Sequence, residues 1–201
     1  MKTSSLRQPG RPREFDADLA LDGAIALFSE QGYAGTSISE LARAMQVTPG
    51  SLYKAFADKQ AIFLAALTRY QQLRGEALNR RLADAPNGRA RVEALLRHYS
   101  ESSVGETGRR GCLVVSCAVE LATRNDELAR RITQSLEANE ARFEAFLRQG
   151  QQDGSVSPDL NVPATAAMLL CLTQGMRVLG KTGRTTEEMA QLVDNALTLL
   201  G

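Results

Sequence analysis

Tryptophan is absent from this chain of 201 residues, aromatic side chains make up 5% of it, and His98 is its only histidine. The three cysteines, Cys112, Cys117 and Cys171, stand at no metal-ligand spacing and form no disulfide framework. A Cys/His zinc site and a disulfide-stapled fold are therefore ruled out, no cofactor is expected, and reduced thiols suit the cytoplasm. No apolar run approaches the ~20 residues that cross a bilayer, and the N-terminus lacks the apolar stretch of a secretory signal, so no membrane partner is expected. The alternation of apolar and polar residues that marks a half-buried strand is also missing. So is an excess of either charge: the formal net charge is +1, too little to hold nucleic acid by bulk attraction. What charge there is lies unevenly, because residues 1–13 carry Lys2, Arg7, Arg11 and Arg13 and no acid.

With strands excluded and 43% of residues hydrophobic, the chain reads as all-α. A helix is expected from about Asp16 to Gln31, with Leu21, Ala24, Ile25 and Phe28 on one face and Gly32 as its C-cap. Asp58 opens a long helix whose buried face carries Phe63, Ala66, Leu67, Tyr70, Leu73 and Ala77. Ala85–Pro–Asn–Gly88 breaks the pattern, and Val92, Leu95, Leu96 and Tyr99 belong to the next helix. Gly105–Gly111 reads as a loop, Cys112–Thr123 as a buried helix, and Asp126–Gln151 as a long amphipathic one. Two final helices follow, Val162–Leu179 and Thr186–Leu200, whose faces include Met168, Leu172 and Met176, and Met189, Leu192, Val193 and Ala196. The total is about nine helices.

The informative segment is Thr36–Lys59. Its first helix buries Ile38, Leu41, Ala42 and Met45 at i, i+3, i+4, i+7 spacing, and Ser37 or Ser39 supplies the cap. Gln46 and Val47 make a tight turn. Thr48 then caps a second helix with Pro49 at its first position, where a missing N–H costs nothing. Leu52 and Phe56, one turn apart, must face the core, which leaves Gly50, Ser51 and Lys54 outward and Tyr53 on the flank. Two helices joined by such a turn form a helix-turn-helix, whose second helix enters the major groove of DNA.

Two further features point to double-stranded DNA. Lys59 stands in the first turn of the helix capped by Asp58, where a cation opposes the helix dipole; sharing a phosphate with nearby backbone N–H groups would account for it. The plain alternative is a solvated lysine. Pro9–Gly–Arg–Pro–Arg13 is held extended by proline and glycine, and extended arginines such as Arg11 and Arg13 enter narrow minor grooves. Its alternative is a solvated basic tail.

Phe28 with Gly32–Tyr33, Thr36–Ser–Ile38 with Leu41–Ala42, and Thr48–Pro–Gly–Ser–Leu–Tyr53 with Phe56 and Lys59 together resemble the TetR (tetracycline-repressor) family of bacterial transcription regulators. The resemblance runs along nearly the whole chain. It implies a homodimer that binds a palindromic operator and is released by a small-molecule effector held in a larger C-terminal domain. The division expected is a basic arm at 1–14, a helix-turn-helix domain at 15–60 and an effector-binding and dimerisation domain at 61–201. The last two helices would form a four-helix bundle with those of the second subunit. By the same resemblance Thr36, Thr48, Tyr53 and Lys59 look like phosphate contacts, and Gly50, Ser51 and Lys54 like base-facing positions. Many members have histidine just before the phenylalanine that closes the recognition helix; this chain has Ala55 there.

Cys112 follows Arg109 and Arg110 and lies at the start of a helix, and both settings favour thiolate. That makes Cys112, with Cys117 nearby, a candidate for sensing electrophiles or oxidants, against the alternative of a small buried apolar residue. Two other readings stand beside a gated regulator. One is an enzyme using Cys112 or Cys117 with His98 as base, for which the sequence supplies no oriented triad. The other is an architectural DNA binder without an effector.

Overall fold

The computed structural model describes residues 17–121 and 126–201, so Arg11, Arg13 and the rest of the basic arm lie outside the described residues. Within that span the chain is helical throughout: α1 (Ala17–Gln31), α2 (Ile38–Ala44), α3 (Pro49–Ala55), α4 (Lys59–Leu82), α5 (Gly88–Glu101), α6 (Gly105–Arg110), α7 (Leu113–Leu121), α8 (Asp126–Asp153), α9 (Val162–Leu179) and α10 (Thr186–Thr198). Among the described residues nine helices have seven or more residues, and α6 is a tenth, shorter one.

The ends of these helices are set by capping chemistry. Ser37 accepts from the Glu40 N–H while the Glu40 carboxylate accepts from the Ser37 N–H, a reciprocal box that resolves the choice between Ser37 and Ser39. Thr48, Asp58, Asn87, Asn161 and Thr185 cap α3, α4, α5, α9 and α10 in turn. Gly32, at φ +76°, ends α1.

Two apolar cores result. The first joins α1, α2, α3 and the start of α4 to Cys112, α7 and the beginning of α8, around Phe28, Leu41, Leu52, Phe63, Leu113 and Cys117. The second packs the end of α4, α5, the rest of α8, α9 and α10 around Leu95, Phe143, Leu147, Leu169, Met189 and Val193. The N-terminal helices therefore share their core with α7. Gly23 makes the α1–α2 approach possible, since a Cβ there would lie 2.0 Å from the Ala44 carbonyl oxygen. Asp18 and Asp22 of α1 both pair with Arg69 of α4, bracing the two helices.

Four expectations change. Gly105–Arg110 is not a loop but α6, closed by N–H bonds from Gly108 to the Val104 carbonyl and from Gly111 to those of Thr107 and Gly108. Six residues are too few to show a helical period. Leu73 faces solvent, because the inner face of α4 turns through Tyr70, Arg74 and Leu78 instead. The last helix ends at Thr198 rather than Leu200. Finally, the segment Val162–Thr182 is long and apolar enough to cross a membrane, although no such stretch was expected. Arg177 and Thr173 are buried on it, and Met168, Cys171, Val178 and Leu179 form an exposed, largely apolar face.

Candidate DNA-reading surface and effector cavity

The α2–turn–α3 unit holds its second helix from the inside and leaves the outside open. Gln46 takes the left-handed conformation, φ +56°, and the Val47 N–H returns to the Ala42 carbonyl, so the chain reverses within a few residues. Leu52 is buried, Phe56 half-buried, and Thr48, Gly50, Ser51, Tyr53, Lys54 and Ala55 are exposed. Tyr53 has 60% of its surface free, unusual for a large aromatic side chain. A Cβ placed on Gly50 would meet nothing within 4 Å, so the fold itself makes no demand for glycine there. Thr48 Oγ1 lies 3.0 Å from Ser51 Oγ and accepts from the Ser51 N–H. Arg43 of α2 is a further exposed cation that sequence reasoning passed over.

Two expected contacts are corrected. Thr36 is buried, and its hydroxyl donates to the Gly32 carbonyl at 2.7 Å, so its side chain offers no surface group to a phosphate. Lys59 is neither a solvated lysine nor a free one. Its Nζ donates to the carbonyls of Tyr33 and Thr36, each at 2.8 Å, and stands 4.4 Å from the Tyr33 ring centroid. The charge that opposes the α4 dipole is thus held by carbonyls of the α1–α2 connection, and the lysine fastens that connection to α4.

Further along the chain, α4, α5, α7 and α8 line a partly open cavity of about 330 Å³. Tyr70 and Arg74 enter from α4, His98 and Tyr99 from α5, Arg142 and Ser135 from α8, Gln174 from α9, and Cys112 with Val114 from the start of α7. His98 is pushed down to about 3 by burial and by Arg74, Arg81, Arg177 and Arg142, and it is neutral at physiological pH. Among the described residues no carboxylate lines the cavity beside it as an orienting group, so it completes no triad with a cysteine.

The two cysteines differ. Cys117 is fully buried and its thiol is pushed up to about 12 by burial and by Glu120, which contradicts a sensing role for it. Burial also pushes the Cys112 thiol up, but Arg177, a hydrogen bond with Tyr70, the Val115 N–H and Arg74 together outweigh it and hold the thiol below its usual value. Cys112 Sγ is 3.2 Å from the Tyr70 hydroxyl. The neighbouring arginines are not the cause: Arg109 and Arg110 are exposed, and Arg110 pairs with Glu106 and Glu30. The sequence signal that would have found the true cause is a cation on a core-facing stripe, Arg74 between Tyr70 and Leu78 and Arg177 after Thr173.

The wall containing Cys112 is bonded directly to the N-terminal helices. Ser116 Oγ donates to the Ser29 carbonyl at 2.8 Å, near the end of α1, and the Ala34 N–H donates to Glu120 Oε2 at 2.8 Å. Lys181 adds a second bond to the Ser29 carbonyl.

An exposed reading helix joined through shared helices to an arginine-lined cavity defines the class: a DNA-binding regulator with a cavity in its larger helical part. The chain belongs to the TetR family. Residues 20–66 match the family model described as "Bacterial regulatory proteins, tetR family", and residues 88–195 match the "Tetracyclin repressor-like, C-terminal domain". The chain is 28% identical over 194 residues to the HTH-type transcriptional repressor ComR of Escherichia coli (strain K12), covering 94% of this chain and 91% of ComR. It also resembles the TetR family transcriptional regulator CifR, solved as a cysteine mutant with a 26bp double-strand operator DNA, at 31% identity and a TM-score of 0.84, over 94% of this chain and 98% of that one. A crystal structure of a regulatory protein TetR from Rhodobacter sphaeroides shares the fold at 21% identity and a TM-score of 0.82, over 94% of this chain and 100% of that one. The protein is a DNA-binding transcriptional regulator of that family.

Proposed function

We propose that the protein is a cytoplasmic repressor, not an enzyme, that leaves its palindromic operator when the cavity is occupied, and that Cys112 is where an electrophile can occupy it. The observation that carries this is the construction of α7. Its first turn is cavity wall, and its later residues, Ser116 and Glu120, hold the end of α1 and the α1–α2 connection. An occupant that displaces α7, or α4, which also lines the cavity, moves the helix-turn-helix of that subunit. A dimer reading a palindrome needs its recognition helices about 34–36 Å apart or a multiple of that, so a small tilt lowers operator affinity. Tyr53 and Thr48 are assigned to phosphates, Gly50, Ser51 and Lys54 to base edges, and Arg11 and Arg13 to the minor groove. The exposed faces of α9 and α10, with Met168, Val178 and Leu179, and Leu199 just after α10, are assigned to the dimer. Buried there, the apolar segment Val162–Thr182 needs no membrane.

The test is alkylation by iodoacetamide, in which the Cys112 thiolate displaces iodide and a carbamoylmethyl group enters the cavity. Operator affinity, read by fluorescence anisotropy, falls at least tenfold for wild type and for Cys117→Ser and Cys171→Ser, and stays constant for Cys112→Ser. Undiminished affinity of protein alkylated at Cys112 would overturn the gated reading in favour of a constitutive DNA binder.

A further inference from the structure

The cavity is cationic to a degree the fold does not require. Arg74, Arg131 and Arg142 line it, and among the described residues no aspartate or glutamate does. Arg177 stands behind the wall at Cys112, almost wholly buried, with Nη2 donating to the Gly111 carbonyl and with Nε and Nη1 unpartnered. Arg74 lies 5.6 Å and 5.3 Å from the Tyr70 and Tyr99 rings and gives Nη1 to Ser102, but its buried Nη2 has no partner. Elsewhere Arg69, Arg81, Arg97, Arg110, Arg148 and Arg184 find carboxylates. The cavity arginines have no ion pair among the described residues. Arg142 is half-buried and gives Nη1 to Asn139, whereas the buried, unpartnered nitrogens of Arg74 and Arg177 are costly without a counter-charge, and the Cys112 sulfur offsets one of them at most.

We propose that the effector is an organic carboxylate whose charged end is clamped by Arg74 and Arg142 and whose apolar body lies toward Leu78, Leu95 and Val114. This rests on the reading of the cavity as the effector site. A carboxylate suits the clamp because guanidinium and carboxylate match as planar forks, and because Ser135 and Asn139 supply neutral groups beside them. Size limits the remainder. A cavity of ~150 Å³ holds benzene, so one of about 330 Å³ takes up roughly a dozen non-hydrogen atoms, the size of an aryl or medium-chain acid.

Phenylbutyrate and octanoate, each against its neutral amide, are titrated into the full-length dimer by calorimetry, with inorganic phosphate as a bare anion. At least one acid is expected to bind tenfold or more tightly than its amide, and phosphate not to compete. Arg142→Gln and Arg74→Lys, checked for an unchanged melting temperature, reduce the acid–amide ratio to near one; Arg131→Gln, at an exposed position, alters it less. Equal binding of acid and amide, binding of no acid in the set, or displacement by phosphate would overturn the carboxylate assignment. An acid that binds through Arg142 yet leaves operator affinity unchanged upholds the ligand class and overturns the gating reading instead.

Discussion

The reading helix and the cavity are built on opposite rules. In α3 the outward side chains are free of the rest of the described fold: Gly50 has open space around it and Tyr53 stands clear. In the cavity several polar groups are also structural, Tyr70 against Cys112, Arg74 between two tyrosine rings, Gln71 on Ser135. A surface that serves only a partner can change without loss of the fold. A surface that also supports the fold cannot, so an occupant of the cavity would disturb the helices around it.

The largest expected effect lies on the free surface. The double variant Tyr53→Ala/Lys54→Ala loses operator affinity by ~1–3 kcal/mol per contact while its melting temperature stays that of wild type. A concurrent fall in stability would break the comparison, since these side chains would then belong to the core. Lys59→Met tests the reverse case. Loss of two charge-assisted bonds to backbone carbonyls lowers unfolding free energy by about 1.5–3 kcal/mol in denaturant titration, and operator binding falls only as a consequence.

His98 sharpens the contrast through pH. Its folded pKa, about 3, lies below the unfolded value of 6.5, so the unfolded chain takes up the proton first. Its contribution to stability is complete above pH 6.5 and shrinks as pH falls toward 3. The loss between about pH 6.5 and 5 is about 2 kcal/mol. His98→Gln should flatten that part of the stability profile while leaving operator affinity at neutral pH intact; an unaltered acid limb would show the imidazole to be solvated. Smaller and opposite in sign are two backbone substitutions. Gly50→Ala raises helix stability by up to ~1 kcal/mol but weakens operator binding, because the new methyl meets nothing within the protein. Gln46→Gly relieves a left-handed residue and gains about 1 kcal/mol or less without changing DNA affinity.

The same contrast explains what could be read from the sequence. Caps, turns and apolar stripes are local, and Thr48–Pro49, Leu52 and Phe56 announce α3 within a few residues. Even there, Thr36 and Lys59 misled, because their partners are carbonyls that only the folded α1–α2 connection brings near. The cavity draws on residues from Tyr70 to Gln174, and no spacing links them. Cys112 stands out in the sequence for the wrong neighbours: Arg109 and Arg110 are adjacent along the chain, whereas Arg177 is adjacent in space. Glu120 and Ser116 carry no signal, since a polar residue on an apolar helix shows no partner until the fold supplies one.

The central claim is that α7 carries the state of the cavity to the reading helix. It is tested most directly by operator titration of Cys112-alkylated wild type beside the alkylated Ser116→Ala/Glu120→Ala variant, each compared with its unmodified form. Alkylation should cost wild type ten- to a hundredfold in affinity, about 1.4–2.7 kcal/mol of coupling, and the variant, lacking the bonds to Ser29 and Ala34, less than threefold. Equal losses in the two proteins would contradict the claim and assign the signal to α4.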